Sequence, residues 1–350
     1  MANQAAYNVA VVGATGAVGQ KIIEILERKP FPIGEIKLLS SKRSAGTKLS
    51  FDGREVTVEE ATPESFKGID IALFSAGGSV SKKLAPEAVK HGAVVIDNTS
   101  AFRMDEGTPL VVPEVNCKDL KLQKGIIANP NCSTIQMVAA LKPIKDKFGL
   151  SRVIVSTYQA VSGAGNEAVD ELKNQTRDFL EGKELKAEIL PAGSDRKHYP
   201  IAFNALPQID LFQDNGYTFE EMKMINETKK ILHAPDLHVS ATCVRLPFVS
   251  SHAESVYVEV DQAGLSVEDL WNVLKDADGV ILEDNPKEQV YPTPLSAMNK
   301  DEVFVGRVRK DPDHDKGFHL WIVSDNLVKG AALNSVQIAV ALIDNNYLSN

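Results

Sequence analysis

The segment Val9-Ala10-Val11-Val12-Gly13-Ala14-Thr15-Gly16-Ala17-Val18-Gly19 constrains this chain more than any other. Its four leading apolar residues read as a strand buried on both faces. Glycines spaced G-x-x-G-x-x-G then turn the chain. Val18, Ile22 and Leu26 follow at i, i+4 and i+8, the apolar stripe of a helix. A strand feeding a helix through glycine opens a parallel βαβ unit. Such a turn lets an anion approach the backbone, and the helix start offers N–H groups and the positive end of its dipole. Gly13, Ala14, Thr15, Gly16, Ala17, Val18 and Gly19 therefore suit the pyrophosphate of a dinucleotide. A plain strand–helix turn is the other reading of the same residues.

The next strand selects the dinucleotide. An NAD site usually ends that strand on an Asp or Glu for the ribose diol. Here Leu38-Leu39 runs into Ser40-Ser41-Lys42-Arg43-Ser44, with no acid. Ser40, Ser41, Arg43 and Ser44 suit a 2′-phosphate, hence NADP; a solvated basic loop is the alternative.

Alternation continues through Asn8–Val12, Ile36–Leu39, Ile69–Phe74, Ala93–Ile96 and Gly125–Ala128 as strands with helical stretches between them. After about residue 150 the pattern changes. Strands at Arg152–Val161, His238–Leu246, Ser255–Val260, Val303–Arg309 and Phe318–Val323 alternate in polarity, which predicts a sheet covered on one face. Thr218-Phe219-Glu220-Glu221 is a capping box opening a helix to about Leu232, and Ser266 opens another to about Ala277. Gly330 to Asp344 reads as a terminal helix. The expectation is an α/β chain with two domains. Residues 1–131 and 328–350 form a Rossmann-like NADP-binding domain, the last helix returning to it. Residues 132–327 form an α+β catalytic and dimerisation domain with a mixed, largely antiparallel sheet.

Charge narrows the partners. The 38 basic and 47 acidic residues leave a net charge of −9, which argues against a general nucleic-acid binder. The start from Met1 to Tyr7 is polar, and no apolar run is long enough to span a bilayer, so a cytoplasmic protein without a signal peptide or membrane anchor is expected. Three widely spaced cysteines, without C-x-x-C, suit neither a disulfide framework nor a zinc site, and no metal is expected.

One cysteine stands apart. Asn129-Pro130-Asn131-Cys132-Ser133-Thr134 turns the chain after a strand, and a helix follows from Ile135 to Lys145. Cys132 thus sits at or just before a helix N-terminus, where the dipole and N–H groups favour a thiolate. The same N–H groups, with the Asn131 amide, suit an oxyanion. Cys117 and Cys243 read as core thiols. Among seven histidines, His252 follows a strand end and the loop Leu246-Pro247-Phe248-Val249-Ser250-Ser251, a usual place for a catalytic group.

Together these pieces resemble the aspartate-β-semialdehyde dehydrogenase family, in its bacterial branch. The likeness runs through the glycine turn, Asp97-Asn98-Thr99-Ser100-Ala101-Phe102-Arg103, Val112-Pro113-Glu114-Val115-Asn116 and Asn129 to Thr134. It continues through Gln159-Ala160-Val161-Ser162-Gly163-Ala164-Gly165, Arg245-Leu246-Pro247 with His252, and Asp325 to Ala332. It implies reduction of L-4-aspartyl phosphate by NADPH to aspartate 4-semialdehyde and phosphate. The pathway implied is biosynthesis of lysine and diaminopimelate, threonine, methionine and isoleucine. It implies Cys132 as acyl-thioester nucleophile and His252 as acid/base. It puts Gln159 on substrate orientation, Arg245 on the α-carboxylate and Glu220 on the amine. Arg103, Lys223 and Asn131 take the phosphate, and Ser162, Gly163 and Asn326 join the cofactor site. A homodimer, or a tetramer, is implied as well.

Some of these roles stand on the residues alone. A substrate with a carboxylate and a phosphate needs local cations on an acidic protein, and arginine binds both bidentately. Glu220 and Lys223, at i and i+3 of the capped helix, share a face; a surface salt bridge is the plain alternative. Rival functions are a cysteine-dependent reductase of N-acetylglutamyl phosphate or a short acyl-CoA, and a non-enzymatic NADP-binding sensor.

Overall fold

The structure, a computed structural model, describes residues 6–348. The polar start read for a leader therefore lies almost wholly outside the described residues. Two compact units divide the chain, one of residues up to Asn131 together with those from Ala331 on, the other running from Cys132 to Gly330.

The first unit is built on a six-stranded sheet, every neighbouring pair parallel. Its strands are β1 (Tyr7–Val12), β2 (Ile33–Ser40), β5 (Glu59–Glu60), β6 (Ile71–Phe74), β7 (Val94–Asp97) and β8 (Ile126–Ala128), in the order β5-β2-β1-β6-β7-β8. All residues of β6 and β7 are buried although they point alternately to both faces, so both faces are covered. Helix Gly78–Lys90 packs on β6, β7 and β8, while helices Ala17–Arg28 and Asn334–Asp344 pack on the sheet and on each other. The chain leaves β1 toward β2 on one side and returns to β6 on the other. The C-terminal end of β1 is thus the switch point where open α/β sheets bind ligands. A hairpin of β3 (Lys48–Phe51) and β4 (Arg54–Thr57) joins β2 to β5. The sequence reading did not include it: β3 alternates over only four residues, and β4 carries a single apolar residue, Val56.

The second unit has a mixed six-stranded sheet in the order β10-β9-β11-β14-β13-β12, from β9 (Arg152–Gln159), β10 (His238–Arg245), β11 (His252–Glu259), β12 (Val280–Leu282), β13 (Val303–Lys310) and β14 (Gly317–Ser324). The β10–β9 and β12–β13 pairs are parallel and the other three antiparallel. One face is buried under helices Cys132–Phe148, Phe219–Ile231 and Val267–Lys275. On the other face Ile154 is exposed, and Tyr158 lies against Trp321 at a ring separation of 5.5 Å. The predicted capping box forms at Thr218 with Glu221, and Ser266, read as a helix start, caps its helix in the same way with Asp269.

Three expectations need correction. β11 begins at His252, not Ser255, because His252 and Glu254 are polar residues on the buried face and break the apolar pattern. The helix after β8 begins at Cys132 itself, three residues before the expected Ile135. Cys117 is only half-buried at the start of a 3₁₀ turn, so it is not a core thiol; Cys243 is fully buried. Among the described residues no helix is long and apolar enough to cross a membrane.

Candidate active site

In the first unit, the glycine turn packs so closely that side chains are excluded. Gly13 has φ +88°, and a Cβ there would lie 2.9 Å from the Ser75 backbone. A Cβ on Gly19 would collide with the Gly13 carbonyl. Gly16 precedes the helix in an extended conformation, and no side chain caps its first turn. Those first-turn N–H groups are thus left to an incoming anion. The Thr15 and Ser40 hydroxyls meet at 2.9 Å, tying the glycine turn to the end of β2. Ser41 and Arg43 are exposed and Ser44 half-exposed in the following turn. This cradle fits a dinucleotide.

Arg103 and Asn131 also belong to the first unit, and both are buried. Arg103 lies in the turn after β7, where its Nη2 donates to the Asn98 carbonyl at 2.7 Å. That turn is shaped by buried Asp97, which accepts from Ser81 Oγ at 2.9 Å, Thr99 N at 3.0 Å and Thr99 Oγ1 at 2.7 Å. Burial raises the Asp97 pKa even though these hydrogen bonds oppose it.

The second unit gathers the remaining candidates on the inner face of its sheet. Arg245 ends β10, with Gln159, the last residue of β9, as its register partner; His252 begins β11, opposite Ser324 of β14. Arg245 and His252, expected at a strand end and a loop end, are 3% and 0% exposed. Arg245 is therefore not a surface arginine at a strand end. Arg245 Nη1 donates to the Ala160 carbonyl at 2.7 Å, and its Nε is buried with no hydrogen-bond partner. The Ala160 N–H donates to His252 Nδ1 at 3.1 Å. An Nδ1 that accepts carries no proton, so the neutral ring keeps its proton on Nε2. Nε2 is itself buried and unpartnered. Burial, and then the Arg245 charge, lower the His252 pKa to about 3.

Gly163 faces both groups. A Cβ there would lie 3.0 Å from Arg245 Nη1 and 3.5 Å from His252 Nε2. Beside it, Ser162 and Asn326 are joined through their polar side-chain atoms at 3.0 Å, and Asn326 Oδ1 accepts from Ser251 N at 2.9 Å. Cys132 opens its helix, and a thiolate there would interact favourably with the Arg245 guanidinium. Gly330 leaves room for the thiol's residue, since a Cβ on it would come within 2.8 Å of Cys132 Cβ.

Glu220 completes the cluster at the start of helix Phe219–Ile231. It accepts from Gln159 Nε2 at 3.2 Å and pairs with Lys223 at 3.3 Å. Glu220 is 6% exposed, so the pair is not a solvated surface bridge. Lys223 also reaches Asp210 at 2.8 Å, a partner thirteen residues upstream that no local spacing points to. Glu254 and Gln136, both fully buried, were missed too. The signal was present: read with period two from His252, Glu254 is the next inward position.

Comparison with known proteins follows the division of the chain. Residues 8–123 match the family model "semialdehyde dehydrogenase, NAD binding domain", and residues 141–329 match "semialdehyde dehydrogenase, dimerisation domain". The chain is 68% identical over 335 residues to aspartate-semialdehyde dehydrogenase of Bacillus subtilis (strain 168), covering 96% of this chain and 97% of that protein. It is 56% identical to the enzyme of the same name from Aquifex aeolicus, over 96% and 98% of the two chains. The crystal structure of aspartate semialdehyde dehydrogenase II of Vibrio cholerae complexed with ASA superposes with a TM-score of 0.92 at 47% identity, covering 97% and 99%. Aspartate semialdehyde dehydrogenase of Candida albicans with NADP superposes at 0.77 and 26% identity, covering 98% and 100%.

Proposed function

This chain belongs to the semialdehyde dehydrogenase family, and from that premise we infer that it interconverts L-4-aspartyl phosphate and L-aspartate 4-semialdehyde with a nicotinamide dinucleotide and phosphate, a step of amino-acid biosynthesis. The products supplied are lysine with diaminopimelate, threonine, methionine and isoleucine. The carrying observation is the convergence at Gly163 of Arg245 and of His252 with its unpartnered Nε2, the donors that a carboxylate and an oxyanion would need.

In this reading residues 13–19 hold the pyrophosphate, and Ser40, Ser41, Arg43 and Ser44 take a 2′-phosphate, which favours NADP. Ser162, Gly163 and Asn326 face the nicotinamide end. The bound cofactor supplies or accepts the hydride. Cys132 is the nucleophile: its thiolate, favoured by the helix start and by Arg245, attacks the acyl phosphate carbon. Phosphate leaves with its bonding pair, guided by Arg103, Lys223 and Asn131, and a thioester remains on Cys132. After reduction, collapse of the thiohemiacetal expels the thiolate and yields the aldehyde.

His252 takes part as a neutral hydrogen-bond donor. With Nδ1 engaged by Ala160, its Nε2–H is aimed at the space where the substrate oxyanion forms, on either side of the thioester. In the reverse direction the same N–H stabilises the oxyanion formed when the thiolate adds to the aldehyde. Arg245 offers Nε to the α-carboxylate, a donor otherwise left buried and unsatisfied. Gln159 orients the substrate, and Glu220, held by Gln159 and Lys223, meets the ammonium group.

The matched dimerisation domain supports a homodimer, a tetramer being the larger alternative. The half-open outer face of the second sheet, with exposed Ile154, suits the contact between copies. A cytoplasmic location fits three cysteines without a disulfide. The test is phosphate-dependent reduction of NADP with aspartate semialdehyde, run beside N-acetylglutamate semialdehyde and a short aldehyde with coenzyme A. Turnover only with the latter two would overturn the assignment.

A further inference from the structure

One pleat behind Arg245, Gln159 and His252 runs a second row of inward-facing residues. Cys243 of β10 pairs in register with Thr157 of β9, and Thr157 with Glu254 of β11, whose neighbour on β14 is Ile322. Glu254 has no exposed surface, and neither of its carboxyl oxygens has a hydrogen-bond partner among the described residues. The side chain that faces it is Gln136, also without exposed surface, whose Nε2 is likewise unpartnered. The other end of that amide is engaged: Ser324 Oγ donates to Gln136 Oε1 at 2.8 Å, and Ser324 stands opposite His252. Gln136 follows Cys132 by four residues, one turn along the same face of the helix. The helix that carries the nucleophile and the strand that carries His252 therefore meet at Gln136, Ser324 and Glu254.

An ionised carboxylate at this depth would cost several kcal/mol with no cation to offset it. Burial accordingly raises the Glu254 pKa well above the usual carboxylate range. A neutral acid can still hydrogen-bond to the Gln136 amide after a small adjustment of either side chain.

We propose that Glu254 is a positioning residue: held as an un-ionised acid against Gln136, it anchors the first turns of the Cys132 helix to the strand that carries His252. The proposal rests on the reading of Cys132 and His252 as the reacting pair. Glu254 touches no reacting atom and acts through Gln136 and through its own strand.

The test compares Glu254→Gln, which keeps shape and a polar tip, with Glu254→Leu, which keeps bulk alone. A carboxyl that only fills space is replaceable by leucine without loss, often with a gain in stability. A positioning acid is not. Glu254→Gln is expected to keep kcat within about threefold of wild type. Glu254→Leu is expected to lose about tenfold or more in kcat with KM for NADP unchanged, as ångström-scale misplacement of reacting groups requires. The pH profile of Cys132 alkylation by iodoacetamide should shift in Glu254→Leu and not in Glu254→Gln. Wild-type kcat in Glu254→Leu overturns the proposal, and so does an equal loss in Glu254→Gln. Should Glu254→Leu not fold, Gln136→Leu reads the same anchor from the helix, and unchanged kcat there overturns it. The infrared band of an un-ionised buried carboxyl, present at neutral pH in wild type and missing from Glu254→Gln, is independent of turnover. It separates failure of this proposal from failure of the Cys132 assignment, which would appear as activity in Cys132→Ala.

Discussion

Gly163→Ala inserts one methyl group into the space where the substrate is expected to react. Gly163 lies in the turn Val161–Ala164 without a positive φ, so alanine fits its backbone. Folding stability should change by no more than about 1 kcal/mol, or roughly 1–2 °C in Tm for a chain of this size. The new Cβ would lie 3.0 Å from Arg245 Nη1 and 3.5 Å from His252 Nε2. The first distance is tighter than ordinary contact, so the guanidinium must give by a few tenths of an ångström. It has little freedom to do so, being 3% exposed and tied to the Ala160 carbonyl at 2.7 Å. The methyl also occupies the ground that the substrate needs. Misplacement of reacting groups on the ångström scale costs about 10²-fold in rate, or roughly 2.7 kcal/mol of barrier. The expected outcome is kcat/KM for aspartate semialdehyde lowered by about 10²-fold at a nearly unchanged Tm, read by phosphate-dependent NADP reduction and by thermal unfolding. Wild-type kcat/KM would refute the reasoning, because the substrate would then not use the space before His252 and Arg245.

Cys132→Ala should lose activity by about 10⁴-fold or more while still binding NADPH, and mass spectrometry of wild type should find an acyl adduct on Cys132. Arg245→Lys keeps the charge but loses the planar fork; kcat/KM for aspartate semialdehyde should fall by about 10²-fold with NADP binding intact. Arg43→Ala should weaken NADPH far more than NADH, since only NADPH carries the 2′-phosphate; equal losses would make Arg43 structural. His252, depressed to about 3 by burial and Arg245 and facing Glu220 as well, contributes stability that is complete above the unfolded value near 6.5 and is lost as pH falls through this window. Between pH 7 and pH 4 denaturant titrations should therefore show His252→Asn losing about 3 kcal/mol less stability than wild type; parallel losses would contradict a buried neutral ring.

Much of this was legible in the sequence, for reasons that differ by element. The parallel sheet was readable because β1, β6 and β7 are buried on both faces and so uniformly apolar. Cys132 was readable because a strand, an Asn-Pro-Asn turn and a helix follow one another locally. Capping boxes at Thr218 and Ser266 announced their helices through short-range hydrogen bonds alone. The inner row of the second sheet was not readable as a row. Its members come from strands far apart in sequence, and register is a property of pairing that no single strand contains. Polar residues on a buried face made matters worse, since Gln159, His252 and Glu254 interrupt the periodicity by which the strands were recognised. Those interruptions are where the candidate site lies, as expected when local rules are broken for function.

The electrostatics of the second unit follow from one buried cation. Arg245 is desolvated and would be costly alone, but Glu220 stabilises it, and a thiolate at Cys132 would as well. The same positive charge disfavours a proton on His252, adding to the effect of burial. A protonated imidazole beside a thiolate would be a plausible resting pair in many cysteine enzymes. Here the guanidinium takes the place of that imidazolium, which leaves His252 neutral and its Nε2–H available as a donor. The division has a chemical consequence. On the proposed mechanism the group that favours the thiolate does not lose its proton during turnover, so the nucleophile would be regenerated in the same environment each time the thiohemiacetal collapses. The group proposed to hydrogen-bond the oxyanion is separate and carries no net charge. Neutralising Arg245 should therefore do more than release the substrate carboxylate. It should raise the proton affinity of His252 and lower that of nothing else in the row, so that the two catalytic groups change together when one arginine is removed.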